Sequence, residues 1–263
     1  MSEPRILLKF GRKEHLKSFA DGNLYCSNAK TFWNIEEELK LKGQGDKLEA
    51  GSMIYAQRAW FYNKDNNELF AEYNTLRSLI HIEPAEYMPV FCMYEVAEND
   101  CIRNGNGTIQ IKIPADKIQI IKNHFPNADG VVVIHNPDVF LRDIISTINH
   151  PIKVDRVHYY NIDKGFECED GKKANDFGYV RYIMQDSPAE IKNGMTTYSL
   201  YAENAYRVLF CKDIFFADEQ EYRIVLPDEI INEGTLYPVN LSTKYKVEDI
   251  DCLFQEYNVS SAY

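Results

Sequence analysis

The sequence predicts a single α+β domain spanning residues 1–263, with a central mixed, largely antiparallel β-sheet flanked by helices. Short runs of β-branched and aromatic residues alternate with segments of helical periodicity along the chain. Hydrophobic residues make up 45% of the sequence, which is enough to bury a sizeable core. No linker separates two self-sufficient halves. These observations favour one folded unit over two.

The first elements follow in the order strand, helix, strand and helix. Arg5–Phe10 is a short apolar run, which is typical of a buried strand. A helix is predicted over Lys13–Ala20, and Gly22 ends it as a C-terminal turn. A second strand is predicted at Asn23–Ser27, and a second helix at Thr31–Leu41.

The rest of the chain continues this alternation. Further strands are predicted at Ser52–Tyr62, Val90–Val96, Gly107–Ile113, Gly130–His135, Lys153–Ile162, Tyr222–Leu226, Thr235–Leu241 and Asp249–Phe254. Helices are predicted at Lys117–His124, at Tyr198–Lys212, and at Asp138–Ile148 with Asp138 as its cap. The polar stretch Asn66–His81 is expected to be helical or irregular. The polar segment 163–193 is predicted to be an insertion or a lid outside the core.

The composition limits where the protein acts and what it binds. A formal net charge of -11 and a pI near 5.1 argue against broad binding to nucleic acid or to anionic membranes, because both would repel the surface. The six cysteines lie far apart without a CxxC pair, so we expect them to be reduced. No apolar run reaches the length of a signal peptide or a membrane span. We therefore expect a soluble, cytoplasmic protein.

The densest group of polar residues lies in Phe215–Pro227, where acids directly precede a predicted strand. Successive strand residues point to opposite faces, so Glu219 and Glu221 should share one face, roughly 6 to 7 Å apart. At the mouth of a cleft, repulsion and desolvation would raise the pKa of one carboxyl and leave the other ionised. Such a division favours catalysis. The alternative is a solvated strand entry with surface acids.

The glycine-rich loop Gly43–Gly51 contains a second pair of acids, Asp46 and Glu49. Glycines permit positive φ angles and a close approach of the backbone to its surroundings. The loop is interpreted either as a mobile surface loop or as a loop held over a site. In the second case, Asp46 and Glu49 would stand at the rim of the cleft.

The two ends of the chain carry the signatures KFG…HLKSFADGNLYCSNAKTFW and K…FF..E.EYRIV. They resemble an uncharacterised group of bacterial and phage-borne proteins, some of which are associated with abortive infection. The same ends are similar to ADP-ribosyltransferases, whose chains open with a strand, a helix, a G-L turn and a strand. In that superfamily a late acidic residue opens a strand of the pattern E-Y-x-I-V. The resemblance covers both ends and little of the middle.

The resemblance implies an ADP-ribosyltransferase-like fold that cleaves NAD and transfers ADP-ribose to an acceptor, as a toxin or a phage-defence effector would. On this sequence the family pattern assigns the nicotinamide ribose to Glu221 and the acceptor to Glu219. The implied partners are NAD, as substrate, and an unknown macromolecular acceptor or partner protein.

Five residues are candidates for contact with NAD under this resemblance: Lys9, Phe10, Tyr25, Ser27 and Tyr55. Lys9 and Phe10 stand where the superfamily usually has His or Arg, and a lysine would contact ribose or phosphate as a point charge. Phe10, Tyr25 or Phe32 would hold the nicotinamide ring. Adjacent first and late strands, with Lys9 and Glu221 lining one cleft, would favour this interpretation, whereas strands on opposite sides of the fold would overturn it.

Two other functions remain open on the sequence. A metal-dependent nuclease would surround Mg²⁺ with the oxygens of Asp46, Glu49, Glu219 and Glu221, with Arg223 near the scissile phosphate. The acidic surface weakens this idea, and no metal site is assigned. A non-enzymatic module would bind a host or phage partner through its acidic face, even after loss of both late glutamates. No Gly-rich phosphate loop occurs, which disfavours Rossmann dehydrogenases and P-loop enzymes.

Overall fold

A six-stranded antiparallel sheet forms the centre of the fold. The structure is a computed structural model that describes residues 6–39, 45–104, 108–187, 189–192, 194–198, 200–254 and 257–260. The strands of the sheet are β1 (Leu7–Gly11), β2 (Val90–Glu95), β3 (Gly130–Ile134), β4 (Lys153–Arg156), β5 (Glu221–Val225) and β6 (Val247–Asp249). Their spatial order is β4-β5-β2-β1-β3-β6, and every neighbouring pair is antiparallel. The prediction of an α+β fold with a largely antiparallel sheet is confirmed.

This order puts the two strands with the terminal signatures on either side of β2. Strand β5 pairs with β2 along its whole length, from Glu221↔Tyr94 to Val225↔Val90. Strand β1 pairs with the other edge of β2, beginning at Leu7↔Glu95. The first and late strands lie in the same sheet with β2 between them. They are therefore not direct neighbours, which is the arrangement that would have favoured the sequence interpretation, and they are not on opposite sides of the fold.

Helices cover the sheet and close its ends. They are α1 (Lys13–Ala20), α2 (Ala29–Leu39), α3 (Glu83–Glu86), α4 (Ala115–His124), α5 (Pro137–Thr147) and α6 (Phe177–Ile183), with short 3₁₀ helices at Glu98–Asp100, Ala202–Phe210, Ile214–Glu219 and Ile250–Phe254. The cap of α5 is Asn136, whose side chain accepts from the Val139 N–H, and not Asp138 as predicted. No helix in the described ranges is long and apolar enough to cross a bilayer.

Small strand pairs surround the central sheet. They join Asn23–Cys26 to Thr235–Pro238, Gly51–Ala56 to Leu76–His81, Ala59–Tyr62 to Leu69–Tyr73, Phe166–Glu167 to Lys173–Ala174, Ala189–Lys192 to Met195–Tyr198, and Thr108–Ile111 to both Cys101–Arg103 and Tyr257–Ser260. His158–Tyr160 and Cys211–Asp213 pair in parallel. The stretch Asn66–His81, expected to be helical or irregular, is thus mostly strand. Arg5, Leu41, Gly43 and Gly107, which bound predicted elements, lie outside the described residues.

The two faces of the sheet pack against different clusters. Phe91, Val132 and Ile224 belong to a cluster on one face, together with Phe19 of α1 and Phe140 of α5. Successive strand residues alternate between faces, so the neighbouring positions of β1, β2 and β5 point to the opposite side. The opposite face carries two clusters, one around β1 and β3 and the other around β2 and β5.

The segment 163–193 was expected to lie outside the core, but part of it is buried. Tyr179 and Ile183 of α6 are buried, and both belong to the cluster that packs on β2 and β5. Asp176 caps this helix by accepting from the N–H groups of Gly178 and Tyr179. The segment is polar overall, but it contains one short amphipathic helix, α6, whose apolar side packs inward. A lid role for the rest of the segment stays a prediction.

Gly22 is expected to be essential for the connection that follows α1. Its φ is +94°, and a Cβ there would stand 2.3 Å from the Val239 carbonyl oxygen. Gly22→Ala should lower the free energy of unfolding by about 2 to 5 kcal/mol, because it adds a backbone clash to the left-handed strain. Gly171→Ala is the matched control, since Gly171 has φ +76° with nothing within 4 Å. It should lower the free energy by only about 1 to 2 kcal/mol. Equal losses in urea denaturation would contradict the clash.

Candidate active site

A cavity of about 320 Å³ is lined by β1, β2 and β5 and closed by the loop 45–49 and the ends of α2 and α4. Its aromatic lining consists of Phe10, Tyr25, Phe32, Tyr94, Phe125 and Phe216. Its acidic and basic lining consists of Lys9, Asp46, Glu49, His124, Lys212, Glu219, Glu221 and Arg223. Small-molecule sites commonly range from about 300 to 1,000 Å³, so the cavity fits a compact ligand or one end of a larger one.

The cavity begins where β1 and β2 separate. The two strands pair at Leu7↔Glu95 and Leu8↔Tyr94 and then diverge, although both continue for several residues. Paired strands lie about 4.8 Å apart, which leaves no room for a ligand between them. The divergence of β1 from β2 therefore creates the space.

Two groups satisfy the backbone that the divergence leaves unpaired. Lys9 Nζ reaches across the gap and donates a 2.6 Å hydrogen bond to the Cys92 carbonyl of β2, and it lies 4.3 Å from the centre of the Phe91 ring. Ser27 and Val90 exchange backbone hydrogen bonds of 3.0 and 2.8 Å. Burial lowers the pKa of Lys9, and the nearby Cys92, Cys26 and Glu221 offset only part of that effect. Lys9 thus spans the gap and also lines the cavity.

Arg223 lies at the floor of the cavity and is fully buried. Its guanidinium makes a fork to Glu49, with Nη1–Oε1 and Nη2–Oε2 distances of 2.5 and 3.0 Å. Its Nε donates to Glu221 Oε2 at 2.6 Å, and Nη1 also donates to the Leu209 carbonyl. Burial opposes the charge, but Glu221 and Glu49 outweigh it and raise the pKa of Arg223 well above its ordinary value. The arginine therefore stays charged and holds both glutamates in place.

Lys212 continues this series of ion pairs toward the other late glutamate. Its Nζ donates to Glu221 Oε1 at 2.8 Å and to Glu219 Oε2 at 2.5 Å. Glu219 Oε1 lies 2.9 Å from His124 Nδ1. Burial alone would lower the pKa of Lys212, but Glu219 and Glu221 raise it well above its ordinary value. Glu49, Arg223, Glu221, Lys212 and Glu219 thus form one continuous chain of alternating charge.

The two late glutamates meet by a different route from the one predicted. Glu219 ends the 3₁₀ helix Ile214–Glu219, and β5 begins only at Glu221. Gln220 between them has φ +42°, a left-handed turn. The glutamates therefore do not share a strand face. They converge because the turn at Gln220 directs both carboxylates to Lys212.

The environments of these two carboxyls shift their pKa values in opposite directions. Desolvation opposes ionisation of Glu221, but Arg223 and Lys212 outweigh it and hold the pKa of Glu221 well below its ordinary value. Desolvation raises the pKa of Glu219, since Lys212 and His124 only partly compensate and Glu221 repels its charge. One carboxylate is thus permanently ionised, and its neighbour takes up a proton more readily.

Asp46 is the remaining acid of the wall and is only 3% exposed. Its Oδ1 accepts from the Leu48 N–H at 2.9 Å, whereas Oδ2 has no hydrogen-bond partner in the part of the chain that the structure describes. Burial raises the pKa of Asp46 to about 7, with Lys212 partly opposing and Glu49 adding to the shift. Asp46 therefore changes charge near neutral pH.

Most of the residues predicted from the sequence meet in this cavity. Lys9, Phe10, Tyr25 and Ser27 line it together with Glu219 and Glu221, and so do Phe32, Asp46 and Glu49. Tyr55 does not. It lies on the strand Gly51–Ala56, and its hydroxyl donates to the Asp163 carbonyl. The Tyr55 side chain therefore contacts the 163–193 segment and does not line the cavity.

The sequence interpretation gave Lys212 and His124 no role in the site, although the lysine opens the late signature. Lys212 was assigned to the end of a helix, whereas it occupies the middle of the strand Cys211–Asp213. Its contact with Glu219 depends on the intervening 3₁₀ helix, whose fold no spacing rule indicates. His124 closes α4, and its approach to Glu219 crosses 95 positions of sequence. A lysine seven residues before an acidic pair was the one available signal.

Three carboxylates of the wall, Glu49, Glu219 and Glu221, bind basic partners, and Asp46 is the exception. Among the residues described, no group of three or more His, Cys, Asp or Glu side chains is arranged to hold a metal ion. Comparisons with protein-family models, with curated proteins and with solved structures found no match to the chain. The interpretation of the cavity therefore depends on its own geometry.

Arg223→Met should destabilise the protein strongly, because it leaves Glu49 and one oxygen of Glu221 buried without their cation. Breaking such a buried pair typically costs about 3 to 5 kcal/mol. Arg58→Met removes an exposed pair with Glu72 and should cost less than about 1 kcal/mol. In urea denaturation, the double variant Arg223→Met/Glu49→Gln should lose less unfolding free energy than Arg223→Met alone. A loss as small as that of Arg58→Met would show that the ion pairs do not hold the floor together.

Asp46→Asn should stabilise the ligand-free protein more at pH 8 than at pH 5, where only part of the destabilisation by Asp46 is present. The folded pKa of about 7 lies above the ordinary value of 3.8, so the folded state binds the extra proton between these values. Stability from Asp46 is therefore present at low pH and is lost as pH rises toward 7. Asn retains the acceptor for Leu48 without the charge. Thermal denaturation across this pH range tests the sign, and stabilisation that is equal at both pH values would contradict it.

Proposed function

We propose that this protein cleaves NAD and transfers the ADP-ribose group to an acceptor. The observation that carries the proposal is that Lys9 and Phe10 of β1, Tyr25, Ser27, and Glu221 of β5 line one cavity. These are residues that the resemblance to ADP-ribosyltransferases assigned to NAD from the two ends of the chain. Residues from the two ends of the chain therefore meet in one cavity wall.

Glu221 has the charge that this reaction needs. When the bond between nicotinamide and ribose breaks, its electron pair leaves on the ring nitrogen, and neutral nicotinamide departs. Positive charge then develops on the ribose as an oxocarbenium ion. A carboxylate fixed before the reaction stabilises such charge without reorganisation. Arg223 and Lys212 occupy one lone pair on each Glu221 oxygen, and a carboxylate has about four acceptor positions in all. Acceptor positions therefore remain for ribose hydroxyls.

Glu219 fits the role of the residue that serves the acceptor. The nucleophile must supply an electron pair to the ribose carbon and lose a proton. A base works best when its pKa approaches the working pH, and burial raises the pKa of Glu219 in that direction. Its distance of 2.9 Å to His124 Nδ1 fixes its orientation. Glu219 can therefore take the proton of the acceptor while Glu221 keeps its charge.

The aromatic wall and the size of the cavity suit the nicotinamide end of NAD. Phe10 and Phe32 line the cavity, and Tyr25, which also lines it, is 56% exposed. A volume of about 320 Å³ is small for a whole dinucleotide and suits one ring with its ribose. The adenosine half would then extend past Tyr25 toward solvent. The acceptor would be a macromolecule, as for a toxin or a phage-defence effector.

The two alternative functions are not equally supported. No specific observation favours the metal-dependent nuclease, since Glu49, Glu219 and Glu221 all bind Lys212 or Arg223. The non-enzymatic module that binds a host or phage partner makes an opposite prediction about Glu221, and the same experiment decides between it and the transferase.

Glu221→Gln is expected to abolish most of the activity while preserving the shape of the side chain. Loss of a preorganised electrostatic contact typically costs about 2.7 to 4 kcal/mol of barrier, on the order of 100- to 1000-fold in rate. Glu219→Gln should reduce transfer more than NAD hydrolysis, because water can replace a specific acceptor. The measurements are release of nicotinamide and transfer of label from NAD by each purified variant.

Glu95→Gln is the matched control for these variants. Glu95 lies on β2 of the same sheet and pairs with Arg156 at 2.7 Å, and it is not part of the cavity wall. It should retain activity near the wild-type rate. If the wild type neither binds nor consumes NAD, and its cellular effect survives Glu221→Gln, the transferase proposal is wrong and the interaction module replaces it.

A further inference from the structure

Asp46 lines the cavity and is held rigidly, while one of its carboxyl oxygens has no partner among the described residues. Its N–H donates to the Phe32 carbonyl at 3.3 Å, and its own carbonyl accepts from the Glu49 N–H at 3.1 Å. Its Oδ1 accepts from the Leu48 N–H. These bonds fix the backbone and one carboxyl oxygen. Oδ2 is buried without a partner among the described residues, and its position is not set by any contact of its own.

Gly45 explains how Asp46 comes so close to the aromatic wall. A Cβ at Gly45 would stand 2.4 Å from both the Phe32 carbonyl oxygen and the Glu36 nitrogen. Only glycine lets the backbone lie directly on α2 at this point. The contact puts Asp46 beside Phe32, one of the rings that line the cavity. The loop thus packs directly against α2, and Asp46 and Phe32 both line the cavity.

An unpartnered buried carboxyl oxygen is costly for the folded chain. Buried polar groups are nearly always hydrogen-bonded, and an exception requires a reason. Three charged groups face Asp46 from the elements around it: Lys212 from the strand Cys211–Asp213, Glu49 from its own loop, and Arg223 from β5. The carboxylates of Glu49, Glu219 and Glu221 all bind basic groups, whereas Asp46 makes no ion pair within 4 Å in the described structure. Asp46 therefore brings an unsatisfied hydrogen-bond acceptor to the cavity wall.

We propose that Asp46 is a specificity-determining residue that accepts a hydrogen bond from the carboxamide N–H of a nicotinamide ring bound against Phe32. The proposal rests on the proposed function, and it concerns a part of NAD that Glu221 and Glu219 do not address. The ribose hydroxyls are matched to Glu221, so the carboxamide is the remaining hydrogen-bond donor at this end of the molecule. The positive charge of the ring also favours the ionised form of Asp46.

The chemistry of Asp46 predicts which dinucleotide the cavity prefers. Nicotinic acid adenine dinucleotide differs from NAD by a carboxylate in place of the carboxamide. It offers no N–H to Asp46 and brings a like charge close to it. A hydrogen bond to a charged group corresponds to about 10- to 100-fold in affinity, so NAD should bind more tightly by about that factor at pH 8. At pH 6 the protonated Asp46 can donate to the acid analogue, and the preference should shrink.

The experiment measures binding of NAD and of nicotinic acid adenine dinucleotide to the full chain by titration calorimetry at pH 6 and pH 8. Asp46→Asn keeps the acceptor for Leu48 and presents an N–H₂ to the ligand. It should lose the preference for NAD or reverse it. Asp100→Asn is the control, because Asp100 is a buried acid that pairs with Lys117 and does not line the cavity. It should keep the wild-type preference at both pH values.

A second measurement needs no variant. Binding of NAD to the wild type at pH 7 should release protons, detected as a dependence of the binding heat on the ionisation enthalpy of the buffer. If NAD binds but the two dinucleotides bind equally and no proton is released, Asp46 does not read the carboxamide, and the proposed function still stands. If the wild type binds neither dinucleotide, the proposed function fails, and the assignment of Asp46 fails with it.

Discussion

The burial of Arg223 in the middle of β5 is the constraint on which the rest of the structure depends. A fully buried guanidinium is tolerated only where carboxylates and carbonyls satisfy its donors. Glu49, Glu221 and the Leu209 carbonyl do so, and they come from three separate parts of the chain. Buried ion pairs are weak evidence for stability, but they fix geometry closely because any displacement leaves a charge unpaired. Arg223 therefore locks the loop 45–51, the helix Ala202–Phe210 and β5 into one arrangement, and the positions of Glu221 and Asp46 follow from it.

The second constraint is the separation of β1 from β2. A continuous six-stranded sheet would leave its backbone fully paired and would have no cavity between these strands. Lys9 makes the separation possible, since its ammonium satisfies the Cys92 carbonyl that β1 no longer reaches. This role explains why a long basic side chain suits a strand position that is otherwise apolar.

The sequence predicted β1, β2, β3 and β5 well because they are rich in aliphatic and aromatic residues, as at Gly130–Ile134. The strand predicted at Asp249–Phe254 was wrong, since β6 is the polar stretch Val247–Asp249 and Ile250–Phe254 is a 3₁₀ helix. The sequence also indicated Lys9, Phe10, Tyr25, Ser27 and the late glutamates, because they lie within short signatures near the chain ends. It could not predict contacts that depend on long-range geometry. Lys212 meets Glu219 only through a 3₁₀ helix and a left-handed Gln220, and Tyr55 turns toward Asp163 because of a neighbouring segment. Local patterns describe single elements, whereas such contacts are set by how several elements pack.

In the proposed reaction, different charged groups of the wall would stabilise the bound substrate and the transition state. The carboxylates Asp46, Glu49, Glu219 and Glu221 outnumber the lysine and arginine groups of the described wall, Lys9, Lys212 and Arg223. A positively charged nicotinamide ring beside Asp46 would offset this excess in the bound state. When the glycosidic bond breaks, that charge leaves the ring and reappears on the ribose, beside Glu221. Interactions made equally before and during the reaction affect binding, and only those that strengthen in the transition state raise the rate. Asp46 should therefore act chiefly on KM, because it would contact the charge of the ring in the bound substrate. Glu221 should act chiefly on kcat, because it would contact the charge that develops on the ribose.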